Sequence, residues 1–303
     1  MLADNEIAGL VQAARLYYEE GLTQAQIAAK IGVSRPQVSK MLAHAREAGI
    51  VYIEIRPPVA GDAELLKHLQ QRFGIKGGIV LPEAPRDALL RETSEYLAGE
   101  LRYDKNIGLG WGYTLGEVAV KMVAAGGLKG TGKIYPLIGK TAIPNRGYRV
   151  NELAHILAGS GREAFWLDAE AFPGSREARD AMEDTQNYRE MLELWQHTDT
   201  ALAEIRAYPG VPDEATALRF EDALERQQAV GSLLSYYFNV RGEFISGSGD
   251  FAVRMPLKML SQLPRVFAVG LTAGEKAVLG ALRSGIVTHL IVTESVARKV
   301  LQK

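Results

Sequence analysis

The stretch Thr23–Gly49, reading TQAQIAAKIGVSRPQVSKMLAHAREAG, constrains this chain more tightly than any other. Thr23 and Gln26 form a T-x-x-Q capping box, which satisfies two backbone donors at a helix start. Ile27, Ala28 and Ile31 then fall on one helical face. Gly32 supplies the left-handed residue that ends a helix. Ser34 caps a second helix with Pro36 in its first turn, where a missing N–H costs nothing. Val38, Met41, Leu42 and Ala45 make its buried stripe, and Gly49 closes it. Two short helices around a tight glycine turn are the helix-turn-helix pattern.

The second helix exposes Arg35, Gln37, Ser39, Lys40, His44 and Arg46. Lys30 to Arg46 holds four Lys/Arg and no Asp/Glu, although the whole chain carries a formal charge of only −1. A helix that enters a DNA groove needs such local charge to release phosphate counterions. It also needs forked or amide side chains near its N-terminus to read base edges. Thr23, Gln24, Ser34, Arg35, Gln37, Ser39, Lys40 and His44 are therefore the candidate contacts to operator DNA. The plainer alternative is a helical hairpin with a solvated basic face. Caps, turn glycine, core spacing and charge together favour DNA binding.

The rest is long enough for one large domain. Of 303 residues, 47% are hydrophobic and 23% charged, as in globular proteins. Near-neutral charge excludes coating nucleic acid through bulk charge. The absence of cysteine removes disulfides, thiol nucleophiles and thiolate metal sites, and suits the cytoplasm. The start, MLADNEIAGL, is acidic where a signal peptide is basic. No apolar run is long enough for a membrane span.

Glu6–Glu20 has helical spacing and would support the two motif helices. Ile50–Arg56 alternates as a strand and suggests a wing. Pro57-Pro58 breaks regular structure, so a winged helix-turn-helix domain is expected over residues 1–57 and a large α/β domain that would control it over 58–303. Asp62–Phe73 reads as an amphipathic helix. Strands are expected at Gly78–Leu81, Ile107–Gly110, Ile134–Ile138, Ala164–Leu167, Ala201–Ile205, Glu243–Ile245, Val266–Val269 and Leu290–Val292. Helices are expected at Ala88–Leu101, Leu115–Ala125, Val150–Ala158, Tyr188–Gln196, part of Glu214–Tyr237, Leu257–Gln262, Gly274–Arg283 and Glu294–Leu301. Such alternation implies an α/β fold, a mostly parallel, Rossmann-like sheet covered on both faces. Ligands bind such sheets at the carboxyl ends of the strands.

Two strand–glycine–helix turns are candidate anion sites. Ile107–Leu115, IGLGWGYTL, lets backbone amides approach an anion, with Thr114 behind them. It is not a dinucleotide fingerprint, because Tyr113 stands where the third glycine belongs. Val266–Lys276, VFAVGLTAGEK, puts Lys276 in a first helical turn, where a cation is mildly unfavourable unless an anion joins it. A tight packing turn and a solvent-facing lysine are the plainer readings. Trp166, Asp168, Glu170 and Phe172 could bind and stack on a sugar, or form a solvated loop. The histidines lack metal-ligand spacing, no G-x-S-x-G elbow occurs, and Lys133 and Lys140 read best as surface charge. No cofactor or metal is expected.

The stretches LYYEEGLTQAQIAAKIGVSRPQVSKMLAHAREAGIVYIEI, IGLGWGYTL and LPRVFAVGLTAGEKAVLGALRSGIVTHLIVTESVARKVL resemble the SorC family of bacterial transcriptional regulators. The resemblance implies a regulator of sugar or polyol catabolic operons, with an effector domain similar to sugar-phosphate isomerases and deaminases. It also implies a phosphorylated sugar or polyol effector and a dimer or tetramer, which makes 58–303 a sugar-phosphate-binding effector and oligomerisation domain. Carried over, the effector site falls on Gly110, Trp111, Gly112, Thr114, Gly270, Thr272, Gly274 and Lys276. Ser232 stands where members often carry an acidic residue, Asp168 and Glu170 replace an apolar loop, and GLTAGEK lacks the usual double glycine. Asp168 and Ser232 complete the candidate set. The rival readings are a sugar-phosphate isomerase or deaminase with a fused helix-turn-helix, and a DNA-binding scaffold without effector.

Overall fold

A computed structural model describes residues 4–51, 61–159 and 161–303. The chain divides into two compact units, Met1–Pro58 and Val59–Lys303.

The first unit holds α1 (Asp4–Tyr18), α2 (Gln24–Ile31) and α3 (Arg35–Glu47). Thr23 accepts from the Gln26 amide at 3.4 Å while the Gln26 side chain accepts from the Thr23 amide at 2.9 Å, so the capping box is complete. Gly32 is left-handed at φ 73° and ends α2. Ser34 caps α3 through the Gln37 amide. Ala13 and Leu16 of α1 pack with Ile27, Ala28, Val38 and Leu42, and Leu10 and Ala14 pack with Ala45. The expected wing strand lies, beyond Val51, outside the described residues.

The second unit opens with α4 (Ala63–Phe73), which Asp62 caps. Its strands are β1 (Gly77–Leu81), β2 (Asn106–Leu109), β3 (Lys133–Pro136), β4 (Glu163–Ala164), β5 (Thr200–Ala207), β6 (Ala229–Leu233), β7 (Tyr236–Asn239), β8 (Arg265–Val269) and β9 (His289–Thr293). Among them run α5 (Arg86–Glu100), α6 (Tyr113–Ala124), α7 (Val150–Ala158), α8 (Arg176–Glu183), α9 (Gln186–Gln196), α10 (Thr216–Phe220), α11 (Ala223–Arg226), α12 (Leu257–Leu260), α13 (Glu275–Arg283) and α14 (Glu294–Leu301). The parallel part has the order β1-β9-β8-β5-β2-β3-β4, and a β6–β7 hairpin extends β5 in the antiparallel sense.

Alternation along each strand divides the core into two layers. Val266, Ala268, Leu290 and Val292 face one layer with α9, α13 and α14. Phe267, Val269, Ile291 and Leu202 face the other, with α5, α6 and α7. Strand order reverses at β2: β3 and β4 lie on one side, and β5, β8 and β9 on the other. The crevice at such a switch point is where open α/β sheets bind ligands.

Several elements differ from expectation. Glu243–Ile245 is not a strand; Phe244 makes only an isolated bridge to Phe238. The span Glu214–Tyr237 contains the short α10 and α11 and then the hairpin. That hairpin escapes sequence reading because both strands are largely buried, which removes the alternation, and its turn residues are Leu234 and Ser235. Both have positive φ, 47° and 61°, where Asn-Gly is usual. The strand expected at Ala164–Leu167 stops at Ala164, and α8 is a helix beyond those expected from the sequence.

Candidate functional site

β5 builds the centre of the site. Its register puts Leu202, Glu204 and Arg206 on one face. Leu202 is core, whereas Glu204 reaches the first turn of α6 and Arg206 lies at the strand's carboxyl end. Glu204 is only 6% exposed. Its carboxylate accepts from the Leu115 amide at 3.0 Å. Burial raises the carboxyl above its usual range, against the lowering effect of hydrogen bonds from Leu115 and Thr114. Gly112, the residue before α6, has φ 146°, and a β-carbon there would fall 2.0 Å from Glu204 Oε2. Only glycine leaves room for the carboxylate.

Arg206 lies over the Tyr148 ring, 5.5 Å from its centroid. It pairs with buried Glu214 and donates to the Pro212 carbonyl at 2.9 Å. The buried Tyr148 hydroxyl has no hydrogen-bond partner among the described residues. Glu214 also accepts from Ser235 Oγ at 2.6 Å. Arg219 donates to that same hydroxyl at 2.8 Å and pairs with Asp250, which pairs with Arg254. Buried polar chemistry therefore pins the hairpin turn.

These groups open on a cavity of about 410 Å³ lined by Arg86, Tyr113, Thr114, Glu117, Glu204, Arg206, Ala207, Gly210, Val211 and Thr272. Arg86 and Glu117 pair at its edge. A smaller cavity of about 190 Å³ shares Arg206, Ala207 and Gly210 and reaches Ser232 and Tyr237.

The two glycine turns meet here: Thr114 and Thr272 hydroxyls are 3.3 Å apart. Gly110 donates its amide to the Leu202 carbonyl at 2.7 Å, continuing the ladder. Trp111 is buried against Tyr148 and Phe172 and supports the loop from beneath. Gly270 follows β8, and Gly274 precedes α13 with no side-chain cap. Lys276 is exposed in that helix's first turn and does not line the cavity. Ser232 borders only the smaller cavity. Asp168 stands apart, exposed and paired with Lys140 at 2.6 Å. Among the described residues no group of His, Asp and Glu could hold a metal.

In the first unit, Thr23, Ser34, Arg35, Gln37, Ser39 and Lys40 are exposed, while Gln24 and His44 are half-buried. The Thr23 and Ser34 hydroxyls are engaged as caps. Arg35, Gln37, Ser39 and Lys40 project from the start of α3, where a reading helix meets base edges.

A family model described as "Putative sugar-binding domain" matches residues 57–302. The chain belongs to this family. A homeodomain-like model matches residues 11–52. The sorbitol operon regulator of Klebsiella pneumoniae is 25% identical, over 98% of this chain and 99% of its own length. The deoxyribonucleoside regulator of Bacillus subtilis is 26% identical, over 96% of each chain. The crystal structure of the full-length Klebsiella sorbitol operon regulator SorC superposes with a TM-score of 0.79 at 23% identity, over 99% of this chain and 100% of that one, so the fold is shared. The protein is a DNA-binding transcriptional regulator of the SorC family and not an enzyme.

Within this SorC-family regulator, sequence reasoning did not single out Arg86, Glu117, Glu204 or Arg206. A signal for two of them existed. Glu204 and Arg206 alternate inside an otherwise apolar run, TALAEIRA, and a central doubly covered strand has no reason to carry charge unless its end is a site. Arg86 and Glu117 are exposed residues on two different helices, and nothing local marks them.

Proposed function

We propose that this regulator controls a carbohydrate or polyol catabolic operon, and that a phosphorylated sugar or polyol in the switch-point cavity sets its operator affinity. The observation that carries this reading is the charge arrangement around the joined loops. The α6 amide of Leu115 is taken by Glu204, and the α14 amide of Ser295 by Glu83 at 3.1 Å. The start of α13 has no side-chain cap, and its first turn carries Glu275 as well as the exposed Lys276. A phosphate gains both helix amides and a cation there. Glu204, Glu117 and Thr114 on the cavity wall suit ligand hydroxyls, and the guanidinium groups of Arg86 and Arg206 balance the carboxylates. Relatives named for a sorbitol operon and for deoxyribonucleosides support a small hydroxylated effector.

The protein works in the cytoplasm as a dimer or tetramer on this reading. Among the described residues no helix is long and apolar enough to cross a membrane. A ligand shifts operator affinity only by binding one arrangement of subunits better than another. Sugar phosphates and their unphosphorylated parents are to be compared for thermal shift and for change in operator binding. A folded-state ligand raises the melting temperature. Response to the parent sugars alone would overturn the phosphate, and response to none would leave DNA binding without an effector.

A further inference from the structure

We propose that Glu204 is the specificity-determining residue of the switch-point cavity: its carboxylate fills the anion position at the start of α6, so the site takes ligands with one phosphate, at the α13 end, and rejects ligands phosphorylated at both ends. The proposal rests on the reading of this cavity as a phosphorylated-effector site.

The glycine turn before α6 has the form of an anion cradle, but a protein group already occupies it. Glu204 Oε2 accepts from the Leu115 amide at 3.0 Å. Gly112 is shaped around that oxygen, since a β-carbon would stand 2.0 Å from it. The carboxylate cannot swing aside easily, because Glu204 is 6% exposed and its backbone pairs in register with Val269 of β8. A phosphate arriving at the same amides would lose the Leu115 donor and meet a like charge in a region shielded from water. By contrast, a ligand hydroxyl gains from a fixed carboxylate, a charge-assisted acceptor. The Thr114–Thr272 contact sets this hydroxyl-binding position beside the turn leading to α13. The cavity therefore has a hydroxyl-binding wall at Glu204 and Thr114, and only its Thr272 edge leads on to the uncapped start of α13, outside the cavity lining, where an anion fits.

The test uses the full-length protein and matched mono- and bisphosphates of fructose, ribulose and sedoheptulose, with affinity read by calorimetry and thermal shift. In the wild type the bisphosphate of each pair is expected to bind no more tightly than the monophosphate. Glu204→Ala frees the Leu115 amide and should raise the bisphosphate-to-monophosphate affinity ratio about ten-fold, the scale of one charge-assisted hydrogen bond. Glu204→Gln keeps the shape and the amide contact while removing the charge, and should raise the ratio less. A wild type that prefers bisphosphates ten-fold overturns the proposal even if neither variant folds. Retained binding with an unchanged ratio in both variants overturns it and leaves the phosphorylated-effector reading standing. If no compound binds any of the three proteins, that reading falls and the proposal with it.

Discussion

Arg35 is the first residue of α3, exposed, on a helix start whose own caps are complete. If it reads a base, Arg35→Ala lowers specific DNA affinity by ~1–3 kcal/mol and relaxes specificity at one position. An equal loss on random DNA in the same gel-shift titration would make it a phosphate contact. Lys276 forms no ion pair among the described residues and stands at the uncapped start of α13. Lys276→Ala should abolish the effector response while operator binding stays intact, and unchanged effector affinity in calorimetry would remove it from the site. His289, in β9, stacks on Phe267 with ring centroids 4.4 Å apart. Burial, with help from Arg265 and Lys76, lowers its pKa from 6.5 to about 4. Between those values the unfolded chain binds a proton that the folded chain refuses. The contribution of His289 is thus whole above pH 6.5 and is lost as pH falls towards 4. Melting temperature over this range should fall less steeply in His289→Gln than in the wild type.

At the scale of elements, the β6–β7 hairpin shows a local rule overridden by tertiary contacts. Leu234 and Ser235 hold positive φ because Ser235 binds Glu214 and Arg219 and because Arg219 and Arg254 donate to its carbonyl. Ser235→Gly would ease the backbone, a gain of about 1 kcal/mol. It would also leave Glu214 and Arg219 short of a buried partner, a loss of ~1–3 kcal/mol. A net fall in melting temperature is expected, and a rise would show that strain outweighs the network. The helix-turn-helix behaves in the opposite way. Its caps join residues three apart, and so Thr23, Gln26, Ser34 and Gln37 could be read from the sequence with their partners. Glu204 and Gly112 are far apart in sequence, and only the pairing of β5 beside β2 brings them together. Hence the glycine turn was legible as a turn, while its resident anion was not.

At the scale of the whole molecule, one recognition helix contacts only a few base pairs, and the chain's net charge of −1 adds no bulk attraction to DNA. Useful affinity then requires two or more copies at fixed spacing. A duplex with two half-sites should bind at least ten-fold more tightly than one with a single half-site. Changing the spacing by half a helical turn should abolish the gain, and insensitivity to spacing would argue against paired reading. On the proposed reading the effector would act through such an assembly, so its influence should appear on the two-site duplex and vanish on the single site.

The sequence alone determined the parts written in short range. Capping, the turn at Gly32 and the basic start of α3 make a DNA-reading motif, and strand–helix alternation makes a parallel α/β sheet, because each depends on residues within a turn or two. Tertiary structure alone decided where the sheet reverses, that β5 lies beside β2 at that point, and that Glu204 and Arg206 therefore face the cavity. It also decided that the α6 amides hold the protein's own carboxylate while those of α13 carry no side-chain cap. Strand order and the pairing of distant charges are long-range choices, set by how two apolar layers close over one sheet, and no local pattern encodes them.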